Sequence, residues 1–212
     1  MDNLEKLGGL FAGIVENSGA SSWMNIPLGH QAFELMRDGL PLRVKGELTP
    51  YTRIMLLNKM MDCLPERDCA RLLRDIKEYQ AALFPLIGDE DLAEDMDMDG
   101  YSGEPAAFVR KYTVEDHRES LQRTLDYLDP AVPMESWCKR YHVMLRFDPV
   151  ERSEEWEECI YEVEKELDKR LKNERKGMGF CYIYWPAKKA ALRKRGIDWR
   201  DPHIMNPRVM FD

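Results

Sequence analysis

The residues best suited to chemistry in this sequence are cations and aromatic side chains that lie close together near the C-terminus. Trp185 is one of several aromatic residues that flank the cations. Five cations fall within about two helical turns, namely Lys188, Lys189, Arg193, Lys194 and Arg195. Cations that neutralise phosphates, combined with rings that stack on bases, are typical of proteins that hold single-stranded nucleic acid. These six residues form a candidate polyanion-binding site.

The charge distribution offers a competing interpretation of the same stretch. The protein has a net charge of −8 and a pI near 5.2, which disfavours a dedicated nucleic-acid binder. Residues 165–200 hold twelve basic and four acidic residues, a local charge of +8, so the rest of the chain carries −16. The cations then pair with the protein's own carboxylates, and the aromatic residues belong to the core. Segregated charge of this kind also indicates a surface for a partner.

A run of aspartates in the acidic segment 87–104 forms a second candidate site. Asp95, Asp97 and Asp99, followed by glycine, match the opening of an EF-hand calcium loop, in which oxygen ligands at alternate positions surround one cation. Ala106 stands at the twelfth position, where that loop needs a bidentate carboxylate. We therefore favour a solvated acidic loop, with a calcium site as the alternative.

The sequence contains no catalytic motif. Its four histidines are scattered, without HxxxH or HExxH, and no GxSxG, P-loop or GxGxxG occurs. The five cysteines are odd in number and never spaced as CxxC, which argues against a disulfide framework and a structural zinc site. No cofactor is predicted. An enzyme whose site is assembled from distant residues stays an alternative, because such a site leaves no local pattern.

The elements that must position these residues are predicted to be helices. Ser153 is a suitable N-cap for a helix over 153–173. Its apolar residues recur at steps of three and four and form one stripe: Trp156, Ile160, Val163, Leu167 and Leu171. A helix from about residue 180, distorted at Pro186, is favoured over a strand for the next segment. The tail 201–212 contains several apolar residues and is expected to pack back on the rest of the chain.

The predicted fold class is mainly α, a compact helical domain over residues 1–212 with at most a small β element. Two-residue alternation marks candidate strands near 41–48 and 139–147. With a further strand near 180, residues 139–195 would form a β-α-β-α unit, and the class would become α+β. The acidic segment 87–104 is the alternative domain boundary.

The hydropathy of the chain and its N-terminal segment indicate a location, and the charge distribution indicates a function. No apolar run approaches the roughly 20 residues needed to span a bilayer, and the N-terminal segment lacks the basic start of a signal peptide. We therefore expect a cytoplasmic protein without a membrane partner. The predicted function is a non-enzymatic binding or interaction protein that uses its charge-segregated C-terminal region. A protein partner or self-association is favoured over the alternative, a nucleic-acid-associated protein that binds through the basic segment 165–200.

Overall fold

A computed structural model describes residues 2–17, 22–92 and 105–211 of the chain. These residues form α-helices joined by turns and short 3-10 segments, and no β-sheet occurs among them. The prediction of a mainly α fold is therefore confirmed. The helices are α1 Asn3–Glu16, α2 Asn25–Glu34, α3 Pro50–Asp62, α4 Ala70–Leu83, α5 Pro105–Leu128, α6 Met134–Arg140, α7 Glu154–Arg170, α8 Cys181–Arg193 and α9 Pro202–Met205.

The chain divides into two compact units, Met1–Leu125 and Asp126–Asp212, and the division falls within α5. In the first unit α1 packs on α2 and α3 packs on α4, whereas in the second α7 packs on α8. Most of the acidic segment 87–104 lies outside the described residues. The single-domain prediction and its alternative boundary in that segment stay predictions.

A buried arginine organises the first unit. Arg53 on α3 is fully buried among apolar side chains. Its guanidinium donates to the main-chain carbonyls of Met36, Leu40, Pro41 and Leu42. These carbonyls lie within and just after a π-helical turn that follows α2, where the regular helical hydrogen bonds end. Arg53 thus supplies the hydrogen bonds to these carbonyls that water or a further turn of helix would otherwise have to supply.

Helix α7 is the main helix of the second unit, as its sequence pattern predicts. The Ser153 hydroxyl accepts a hydrogen bond from the Trp156 amide at 3.2 Å, which caps the first turn. Glutamates occupy that turn, and Lys169 and Arg170 occupy the last, so both ends suit the helix dipole. The predicted stripe is buried, with Trp156, Ile160, Val163 and Leu167 each at most 1% exposed.

The candidate strand at 139–147 is wrong. Helix α6 continues to Arg140, and His142 then adopts a left-handed φ of 54°, so the chain turns where a strand would run straight. Farther on, the amide and carbonyl of Arg146 bind the side chain of Asn206 at 2.8 and 2.9 Å instead of a neighbouring strand. The alternative α+β class, with its β-α-β-α unit at 139–195, is wrong for the same reason.

The other two ambiguous segments also have definite structures. The candidate strand at 41–48 amounts to one antiparallel bridge between Val44 and Leu48, closed by Gly46 at a φ of 77°. The segment that begins near 180 is helical, because α8 starts at Cys181 and contains Pro186. The ring removes one backbone donor from the helix, which the packing of α8 on α7 must offset.

Candidate functional site

The predicted polyanion site lies on α8, and α8 has two contrasting faces. Its inward face consists of Ala187, Lys188, Ala191 and Leu192, all of which are buried. The outward face includes Tyr182 and Arg193, which are exposed, and Lys189, which is half-buried. The five predicted cations therefore do not share one surface.

Lys188 is the centre of a buried cluster between α7 and α8, which we call the Lys188 cluster. Its ammonium lies 2.7 Å from a carboxylate oxygen of Glu164, and the Tyr184 hydroxyl donates to the same carboxylate at 2.6 Å. The ammonium also lies 5.1 to 5.7 Å from the ring centres of Trp156, Tyr184 and Trp199. The side chains of Lys188 and Glu164 are each 10% exposed.

The chemistry of the Lys188 cluster is that of a satisfied ion pair. A charge removed from water is costly unless an opposite charge and further polar groups compensate it. Glu164 receives two donors, and the ammonium faces aromatic rings, whose π-electrons attract cations. The indole N–H of Trp199 is also paired, donating to the buried Glu151 carboxylate at 2.9 Å. The contacts of Lys188 therefore lie inside the protein.

Three more of the predicted cations pair with carboxylates at the surface. Arg193 lies 3.3 Å from Asp198, and Lys194 and Arg195 lie 3.2 and 3.1 Å from Glu166. Hydrogen bonds from these two cations lower the pKa of Glu166 from its ordinary value. This arrangement matches the alternative interpretation, in which the cations balance the protein's own acids.

The metal candidates cannot be placed in the same way. Asp95, Asp97 and Asp99 lie outside the described residues. Within residues 2–17, 22–92 and 105–211, no group of three or more His, Cys, Asp or Glu side chains is placed to hold a metal ion. The calcium site stays a prediction.

A surface that the sequence did not identify as a site lies beside the start of α8. Tyr182, His203 and residues 207–211 line a groove, which we call the tail groove. Phe211 packs edge-on against Trp185, with ring centres 5.1 Å apart, and this contact holds the tail against α8. The expected packing of the tail is thus confirmed for Phe211, but Met210 is 88% exposed and Tyr182 is 61% exposed.

One lining residue of the tail groove, Arg208, is a cation. His203 also lines it, and among the residues that the structure describes, the lining contains no carboxylate. Arg208 forms no ion pair within the part of the chain that the structure describes. The apolar composition of the tail was the only signal in the sequence for this groove, because Tyr182 and Arg208 are 26 positions apart.

Neither the helices of the described residues nor the comparisons with known proteins indicate what this chain does. In the described ranges, no helix combines the length and apolar composition needed to cross a bilayer. No protein-family model, curated protein or solved structure matches this chain.

Proposed function

We propose that this chain is a non-enzymatic interaction protein that binds a partner protein through the tail groove. The observation that carries the proposal is the exposure of Met210 and Tyr182 around a concave surface. Large apolar side chains grouped around a concavity are typical of protein-binding sites, since binding removes their surface from water. The packing of Phe211 on Trp185 supports a preformed groove.

The chemistry of the groove lining supports binding more than catalysis. Its ionisable groups are an imidazole, a guanidinium and a phenol, from His203, Arg208 and Tyr182. Acid–base and nucleophilic catalysis usually pair such groups with a carboxylate or thiol, and the described residues of the lining include neither. Binding needs only apolar anchors and a few polar contacts around them. An enzyme with a site assembled elsewhere is the alternative function.

The positions of the cations support a protein partner over nucleic acid. Lys188 is used internally, and Arg193, Lys194 and Arg195 face carboxylates of the same chain. A polyanion would have to displace those carboxylates before it contacted these four of the five predicted cations. The proposal includes the cytoplasmic location expected from the sequence, which the odd number of cysteines and the absence of CxxC support.

A selection from random 16-residue peptides displayed on phage, with the full chain immobilised, tests the proposal. We expect enriched peptides that share aromatic or aliphatic anchor residues. Synthetic copies of them should bind the full chain measurably by fluorescence anisotropy. A few apolar contacts carry much of the energy of an interface, and Met210 is expected to provide one of them. Met210→Lys should therefore raise the Kd of these peptides at least about tenfold.

Met144 provides the matched control. It is the same residue type, it is 94% exposed, and it is not among the residues that line the groove. Met144→Lys should leave the Kd of the selected peptides unchanged within about twofold, a small fraction of the change expected for an anchor. A selection that enriches no peptide, or peptides whose binding ignores Met210→Lys, would refute the proposed function.

A further inference from the structure

The outward face of α8 continues from the tail groove as a line of cations. Lys189 and Arg193 follow Tyr182 by seven and eleven residues, which places all three within about 20° of one line along the helix. At a rise of about 1.5 Å per residue, Lys189 lies about 10 Å and Arg193 about 16 Å beyond Tyr182 along the helix axis. We call this line the α8 stripe.

The cations of the α8 stripe are available to a ligand, unlike Lys188. Lys189 is half-buried and forms no ion pair within the described residues. Arg193 does contact Asp198, but both side chains are largely exposed, at 68% and 81%. An exposed pair of this kind contributes little, so exchanging one carboxylate for another costs little.

We infer that the partner segment carries acidic side chains about 10 to 16 Å from its apolar anchor, and that these contact the α8 stripe. This inference rests on the proposed function, because the anchor occupies the tail groove. Charge complementarity selects an acidic ligand, since Arg208 lines the groove and two further cations extend from it. A helical ligand meets the spacing with acids seven and eleven residues from the anchor, and an extended ligand with acids three to five residues away.

The occupant is a peptide segment of another protein. The concave lining favours a side chain that inserts, which a flat bilayer surface does not supply. A second copy of this chain and a nucleic acid are the competing occupants, and each gives a different result in the test below.

The test compares peptide selections on the wild-type chain and on the Lys189→Glu, Arg193→Glu double variant. Both positions lie on the outward face, so the variant should keep its fold, which circular dichroism and thermal melting check. On the wild type we expect Asp and Glu to be enriched at the stated spacing from the anchor. On the variant the same positions should instead be enriched in Lys and Arg.

Measured affinities should follow the same pattern. Replacing each enriched acid by its amide should weaken binding to the wild-type chain by about two- to fivefold, the range of exposed charge pairs. These losses should disappear on the double variant. Lys172→Glu, at an exposed cation outside the stripe that forms no ion pair within the described residues, is the matched control and should leave the peptide preference unchanged.

Each contrary result has a distinct meaning. Peptides that need Met210 but show no acidic preference, or the same preference on both proteins, would overturn this inference and leave the proposed function standing. A selection that yields no peptide would overturn both. Self-association, or binding of single-stranded DNA or phosphatidylserine vesicles, that is lost in Met210→Lys would also overturn it, because the groove would then have a different occupant.

Discussion

Replacing Lys188 by methionine should lower the free energy of unfolding by about 3–5 kcal/mol, the range for removing one partner of a buried ion pair. Methionine fills the space of the lysine stem, so the loss comes from charge and not from a cavity. The substitution leaves the Glu164 carboxylate 10% exposed, with the Tyr184 hydroxyl as its donor. A carboxylate held in that state is costly because it has left water without gaining an opposite charge.

Removing the other partner should cost less. Glu164→Gln keeps the shape of the side chain and an oxygen that accepts from Tyr184, and it leaves the ammonium facing three aromatic rings. Those rings attract a desolvated cation by up to about 2 kcal/mol. We therefore expect a loss of about 2 kcal/mol, close to that of one hydrogen bond between charged groups.

The two substitutions together make the sharpest test. Glu164→Gln, which destabilises the wild-type protein, should stabilise the Lys188→Met protein, because the double variant buries no unpaired charge. Urea unfolding followed by circular dichroism gives the four free energies of this cycle. Lys194→Met is the control, since Lys194 pairs with Glu166 while its side chain is 66% exposed, and its loss should stay below about 1 kcal/mol.

Two results would refute this reasoning. A loss below about 0.5 kcal/mol for Lys188→Met, within the range of surface substitutions, would show that the ammonium is not buried in an ion pair. Additive losses in the double variant would show that Lys188 and Glu164 do not interact.

Three further predictions concern other parts of the chain. Arg53→Met should cost at least about 3 kcal/mol in urea unfolding, because it removes a donor from the buried carbonyl of Met36 and from three partly buried carbonyls. Burial lowers the pKa of His117 in the folded protein, so its contribution to stability is present above its unfolded pKa near 6.5 and is lost as the pH falls through the folded pKa. His117→Gln should therefore reduce the stability lost between about pH 7 and pH 5 in the same assay. Single-stranded DNA should not bind measurably at physiological salt in fluorescence anisotropy, because four of the five predicted cations face carboxylates of the chain.

Controls make these three predictions decisive. Arg37→Met, at an arginine whose partner Asp38 is also exposed, should change stability by less than about 1 kcal/mol. A loss of stability between about pH 7 and pH 5 that is the same in His117→Gln and in the wild type would contradict the second prediction. Micromolar DNA binding with a slope of log K against log salt near −3.5, about −0.7 for each of five phosphate contacts, would contradict the third prediction.

The helices of this fold were predictable where the period of apolar residues and the capping residues agreed. In α7, Ser153 and the stripe from Trp156 to Leu167 indicate the same helix, and packing on α8 confirms its buried face. At 139–147 only the two-residue period was available. A two-residue period does not by itself provide a neighbouring strand for pairing. The backbone of Arg146 forms its hydrogen bonds with the side chain of Asn206 instead.

The candidate sites were harder to predict because both depend on contacts between distant residues. Whether Lys188 faces solvent or Glu164 depends on the rotation of α8 against α7, and its neighbour Lys189 is only half-buried. One residue along a helix turns the side chain by about 100°, so a cluster of cations in sequence is divided between two faces. The tail groove likewise requires Phe211 to reach Trp185, which no local pattern encodes.

The same geometry changes what the excess charge of 165–200 means. Seven of its twelve cations form ion pairs, and three of the acids involved, Glu162, Glu164 and Asp148, come from outside the stretch. Within the described residues, the cations of the stretch without an ion pair are Lys169, Arg170, Lys172, Arg175 and Lys189. Four of these lie at the end of α7 and just beyond it, and one lies on the α8 stripe. Any polyanion binding that is measurable at low salt should therefore involve 169–175, so charge reversal there should weaken it more than reversal of the predicted site on α8.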